Sequence, residues 1–135
     1  MAKLYRSREG TVTAVDTKTQ LSTLGSESAP GPLLVPANAT KVKAIMCTYA
    51  SNFALAVRGG ILVRLEGPGL PEGPETIAIG GAGVSVATGG HASFSAIRIE
   101  LDIPVTPANE ILIFAENTGS DVGETTVGVT LEFEM

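Results

Sequence analysis

The sequence predicts an all-β protein: a two-sheet antiparallel sandwich and, within that class, a jelly roll of about eight strands. Three observations carry this. Apolar and polar residues alternate at period two in several short runs, and no longer segment carries a helical stripe. The 16 glycines and 8 prolines of the 135 residues fall between those runs, as short strands joined by tight turns and a few long connections require. An immunoglobulin-like sandwich is the near competitor, but the chain has no tryptophan and a single cysteine, so the core marks of antibody domains are missing.

Taken in order, residues 1–10 read as a charged N-terminal arm with Lys3, Arg6 and Arg8, and residues 11–135 as a single β-sandwich domain. The first strand is expected within 11–15, extended or followed by 17–24. Residues 25–36, containing Pro30-Gly31-Pro32, read as an extended loop crossing between sheets. Strands are then expected at 41–49, 60–66 and 74–79, with a weaker one at 83–87. The loop 67–74 combines the fixed φ of proline with glycine freedom and blocks both helix and ladder. Gly80 to Gly83 and Gly89-Gly90-His91 read as turns. In 95–103, Ile97, Ile99, Leu101 and Ile103 oppose Arg98, Glu100 and Asp102, the pattern of a strand with one wet face. Pro104 and Pro107 bracket a kink. Residues 110–116 carry Ile111 and Ile113 on one face and Leu112 and Phe114 on the other, which predicts a central strand buried on both sides. After a turn at 117–120, Val127, Val129, Leu131 and Phe133 alternate with Thr130, Glu132 and Glu134 to the last residue.

Net charge is −5, but residues 1–64 hold 8 basic and 3 acidic groups and residues 65–135 hold 1 and 11. In a sandwich the two halves interleave, so local pairing across neighbouring strands accounts for the asymmetry. The alternative is a basic N-terminal segment that reaches an acidic surface of a neighbouring copy. Strong nucleic-acid binding through the acidic body is not expected, and no segment approaches the roughly 20 apolar residues of a spanning helix.

The residues do not assemble into a recognisable catalytic centre, cofactor site or metal site. His91 is the sole histidine, which removes zinc and cupin-like centres built from several imidazoles within one chain. A triad of Ser93 or Ser95 with His91 and Asp102 lacks the Gly-x-Ser-x-Gly elbow. The glycines of 80–90 lead into strand-like Val84-Ser85-Val86 rather than a helix N-terminus, so hairpin turns are the better reading than a phosphate loop. Glu66, Glu72 and Glu75, or Glu116, Asp121 and Glu124, could offer oxygens to Ca²⁺, although neither set has the spacing of a calcium loop. Cys47, inside an apolar run, reads as a buried thiol.

With its short charged arm at 1–10, a body of short strands from Thr11 onward and small-residue Gly/Pro loops, the chain resembles the compact jelly-roll structural proteins of virions, the coat, cement or decoration subunits. The resemblance implies a non-enzymatic subunit made in the host cytoplasm and located in the virion. Such a subunit works by burying surface between copies, as a homo-oligomer with a trimer favoured, and against other capsid proteins. Expected assembly contacts are Lys3, Tyr5, Arg6 and Arg8 of the arm, with the uncharged segment 29–36 and Phe53, Leu55 and Val57. The rival function is a lectin-like or calcium-dependent ligand-binding sandwich.

Overall fold

The computed structural model describes residues 3–12, 18–22, 31–52, 61–79, 91–117 and 124–135. Among these, nine strands and no helix occur: β1 (Lys3–Val12), β2 (Thr19–Gln20), β3 (Leu33–Leu34), β4 (Lys41–Asn52), β5 (Ile61–Glu66), β6 (Glu75–Ile79), β7 (His91–Pro104), β8 (Glu110–Asn117) and β9 (Glu124–Glu134). They form a four-stranded sheet in the order β1-β9-β4-β7 and a second sheet in the order β2-β8-β5-β6, with β3 also on β8. Every pairing is antiparallel.

The register identifies the wrap. β2 and β3 both run antiparallel to β8, at Phe114–Ala115 and at Glu110–Ile111, and so occupy one interrupted strand position. The chain is then one long hairpin in which β1 meets β9, β2 and β3 meet β8, β4 meets β7, and β5 meets β6. Rolling that hairpin brings β9 onto β4 and β8 onto β5. This is the jelly roll that the alternating runs predict.

The core lies between the sheets and follows the alternation. On β9, Val127, Val129, Leu131 and Phe133 are buried, facing Ile111, Ile113 and Ala115 of β8 and Val63 and Leu65 of β5 within one apolar cluster. On β7, Ile103 is buried and Ile99 and Leu101 pack against the core, while Arg98, Glu100 and Asp102 face out. β8 is central, as expected, but only its inner face is fully buried. Leu112 and Phe114 are half-buried, and the Lys18 ammonium lies 4.4 Å from the centre of the Phe114 ring.

Residues 3–10, read from sequence as an arm, run instead as most of strand β1, paired with β9 from Lys3↔Glu134 to Val12↔Thr125. By register Leu4, Arg6, Arg8, Gly10 and Val12 fall on the side of β1 that turns toward the second sheet, with Arg6 exposed at the edge. Two arginines hide the period-two signal, and it is the backbone ladder that holds the segment. Val12 completes β1, while the expected continuation over 13–15, the strand at 83–87 and the turns at 80–83 and 118–120 lie outside the described residues. His91, expected in a turn, opens β7 opposite Asn52.

The loop 67–74 is a loop, as its prolines require. Gly67 has φ 113°, and a Cβ there would stand 2.7 Å from the Glu110 carbonyl oxygen. Gly67→Ala is therefore expected to destabilise the fold by about 2 kcal/mol or more, from left-handed strain and a backbone clash together. Urea unfolding measures it, and a change within experimental error would contradict the tight approach.

Candidate assembly surfaces

Three surfaces collect the features that bear on function: the β1 edge, the outer face of the four-stranded sheet, and the end of the sandwich where β4, β6 and β8 begin.

At the β1 edge, Glu9 exchanges backbone hydrogen bonds with Ser22 at 2.9 and 2.8 Å. Strand alternation therefore turns the backbone groups of Tyr5 and Ser7 away from β9, to the same side. Their carbonyls do not stand bare. Arg6 Nη1 donates to the Tyr5 carbonyl at 3.1 Å and Arg8 Nη1 to the Ser7 carbonyl at 2.7 Å. Arg8 also donates from Nε to the Gly31 carbonyl at 2.8 Å and from Nη2 to the Pro32 carbonyl at 3.1 Å. Charged side chains that blunt an exposed ladder are one way an edge strand resists indiscriminate pairing. Arg8 is thus tied to the body of the domain, while Tyr5, 48% exposed, and Arg6 remain at the surface. Phe53, Leu55 and Val57 lie outside the described residues.

The outer face of the same sheet is organised by Glu132. It sits on β9 between Tyr5 of β1 and Ala44 of β4, and is 1% exposed. Ala44 leaves room for an arm to pass. Arg98 reaches across from β7 and grips the carboxylate with both terminal nitrogens, at 3.2 and 2.9 Å. The Tyr5 hydroxyl donates at 2.8 Å, and Lys3 Nζ lies 3.7 Å away. The carboxylate is covered by these long side chains in a thin outer layer rather than sunk in the core. Arg98 first, then Tyr5, hold the Glu132 carboxyl down at about 2. The Arg98 guanidinium, hydrogen-bonded also to Glu100 at 2.7 Å, is held still more firmly protonated. The network ties β1, β9 and β7 together. Sequence reading missed it, because Glu132 in an alternating run looks solvated and only the register reveals its neighbours.

Two rows along, Gly128 lies between Glu9 and Thr48, beside a shallow depression of about 310 Å³ lined by Ser7, Met46, Thr48 and Thr130 among others. The hydroxyls of Ser7 and Thr130 bond to each other at 2.7 Å.

At the end of the sandwich three connections are stitched by their backbones. Val35 N–H donates to Asn109 at 2.9 Å and Ala108 N–H to Val35 at 3.1 Å. Thr106 N–H donates to Gly69 at 2.9 Å, Gly69 N–H to Glu110 at 2.8 Å and Val105 N–H to Thr40 at 3.2 Å. This mesh holds Ala108 at φ 63°, a conformation disfavoured for any residue with a Cβ. The surface displays Leu34, 58% exposed, with Ala37, Pro68, Pro71, Pro107 and Ala108 also exposed. Residues 31–40, 67–74 and 104–109 contain one charged residue, Glu72.

The chemical candidates are dispersed. Burial pushes the Cys47 thiol up to about 11, so it stays protonated and unreactive at neutral pH. Glu66 receives Lys18 at 2.7 Å. Among the described residues no three His, Cys, Asp or Glu side chains converge as a metal cage. Asp121 lies outside the described residues, as does the side chain of Glu124.

No family model matches the chain. No curated protein matches it either. Among the solved structures that resemble it are two of a virus. The structure of infectious bursal disease virus Gx strain matches with a TM-score of 0.48 and 12% identity, over 98% of this chain and 32% of that one. The crystal structure of the T13 IBDV viral particle matches with a TM-score of 0.41 and 14% identity, over 97% and 31%. The chain thus spans about a third of the length of each. The jelly-roll wrap itself is carried by this chain's own pairing register.

Proposed function

We propose that the chain is a non-enzymatic structural subunit of a viral shell, a coat, cement or decoration protein. It works by burying surface against copies of itself, with a trimer favoured, and against other shell proteins. On this reading it is made in the host cytoplasm and resides in the virion. Jelly rolls serve as viral capsid, lectin and cupin domains, and a fold alone does not choose among them. The observation that favours the shell role is the stitched end of the sandwich. A surface already fixed by backbone hydrogen bonds loses little conformational freedom on docking, and one almost free of charge is inexpensive to desolvate. Active sites gather titratable groups with shifted pKa values instead.

Hydrogen exchange on the full chain, dilute against concentrated, tests this. Amides of residues 31–36, 67–74 and 104–109 are expected to exchange more slowly at high concentration. Unchanged exchange there, with no change in mass, would contradict the proposal.

The depression at Gly128 favours the second reading, a ligand-binding sandwich. Its calcium-dependent form requires a melting temperature that rises with added Ca²⁺, because specific binding stabilises the folded state.

A further inference from the structure

Charge is sorted onto opposite flanks of the sandwich. The Glu9–Ser22 pair places β1 beside the start of the second sheet, so β1 and β2 bound one flank and the last strands of the two sheet orders, β7 and β6, bound the other. β1 carries Lys3, Arg6 and Arg8 against a single carboxylate, Glu9. The opposite flank carries Glu72, Glu75, Glu100 and Asp102 against Arg98 on residues 67–79 and 98–104.

Pairing within the molecule leaves charge over on both sides. Arg6 is exposed, and among the described residues its side chain makes one hydrogen bond, to the Tyr5 carbonyl, and pairs with no carboxylate. Glu72 is exposed and Glu75 half-buried, and neither has an ion-pair partner among the described residues. Asp102 takes Lys41 at 3.0 Å and Lys43 at 3.5 Å, and Glu100 takes Arg98 at 2.7 Å, yet the two carboxylate side chains stay 70% and 71% exposed.

We infer that the basic β1 flank of one copy docks on the acidic β6/β7 flank of a second copy of this chain. The inference rests on the shell-subunit reading and adds to the stitched end a second pair of surfaces through which copies meet. Strand direction is compatible: β1 is antiparallel to β9, β9 to β4 and β4 to β7. β1 therefore runs antiparallel to β7, and a neighbour's β1 beside β7 continues the alternation of the sheet. Because Arg6 and Arg8 cap the outward carbonyls of Tyr5 and Ser7, the contact is made by side-chain charge more than by a continuous ladder. Joining two different flanks is heterologous association, which closes into a ring when the rotation per copy allows it.

Charge reversal on the full chain, followed by light scattering at low salt across a concentration series, tests the pairing. Arg6→Glu reverses the basic flank, and Glu72→Lys with Glu75→Lys reverses part of the acidic one. Among the described residues none of the three positions has an ion partner, so melting temperatures close to wild type show that each variant is folded. Each variant alone is expected to associate about tenfold more weakly than wild type. An equimolar mixture is expected to recover association, because the reversed flanks complement one another, and added salt is expected to weaken the wild type. If both variants associate like wild type, or if the mixture fails to recover, the flank pairing is overturned and the shell-subunit reading stands. A wild type at monomer mass throughout overturns both.

Discussion

Phe133→Ala is expected to lower the stability of the domain by about 3–5 kcal/mol. Phe133 is fully buried on β9, opposite Leu4 of β1 and Val42 of β4. It belongs to the strand that joins the first and last segments of the chain, so a cavity there loosens the contact on which the rolled hairpin closes. Against the roughly 5–15 kcal/mol that holds a typical domain, such a loss leaves a marginal fold. Phe133→Leu, nearer in volume, is expected to lose less, about 1–2 kcal/mol. Urea unfolding of the two variants beside wild type measures both, and equal losses would mean that packing at this site does not depend on volume.

Glu132→Gln is the second large effect, and its sign depends on pH. The carboxyl is held at about 2 in the folded chain, against an ordinary value near 4.5. A group whose folded pKa is depressed stabilises the fold fully above its unfolded value, and that stability is lost as pH falls through the folded one. Wild type should therefore lose the contribution of this carboxylate between about pH 4.5 and about pH 2. Glu132→Gln keeps the shape and removes the charge that Arg98 grips, so the variant should melt lower than wild type at neutral pH. Over the acid range its stability should fall less steeply, by the linkage of one proton. Thermal unfolding from neutral pH downward checks this, and parallel acid limbs would show that Glu132 is not the titrating group.

The sequence made the body of the fold legible wherever side chains alternate cleanly. β9 and the described half of β7 put Val127 to Phe133 and Ile99 to Ile103 on the faces expected. Proline and glycine likewise marked the loop 67–74. Legibility failed where backbone rather than side chains decides. β1 has Arg6 and Arg8 on the side that turns toward the second sheet, and β2 and β3 are two residues each, too short for any period to show. The outer half of β8 is covered by Lys18 from far away in sequence, so Phe114 is neither core nor fully wet. The surfaces depended still more on register. Lys3 and Tyr5 stood out as charged and aromatic residues, but nothing in their order showed that both meet Glu132, or that Arg98 arrives from the opposite edge of the sheet. The stitched end could be anticipated only as three Pro/Gly connections, because the bonds between them join residues 35, 69 and 105–110.

The role of these surfaces in assembly is tested most directly by the mass of the full chain in solution, from light scattering across a concentration series. Deleting the first ten residues would not serve as a control, since it removes most of β1 and strips the edge of β9. On the intact chain a discrete oligomer is expected, a trimer of the 13.8 kDa subunit or larger closed particles. A mass that stays at 13.8 kDa at every concentration and salt would contradict self-assembly.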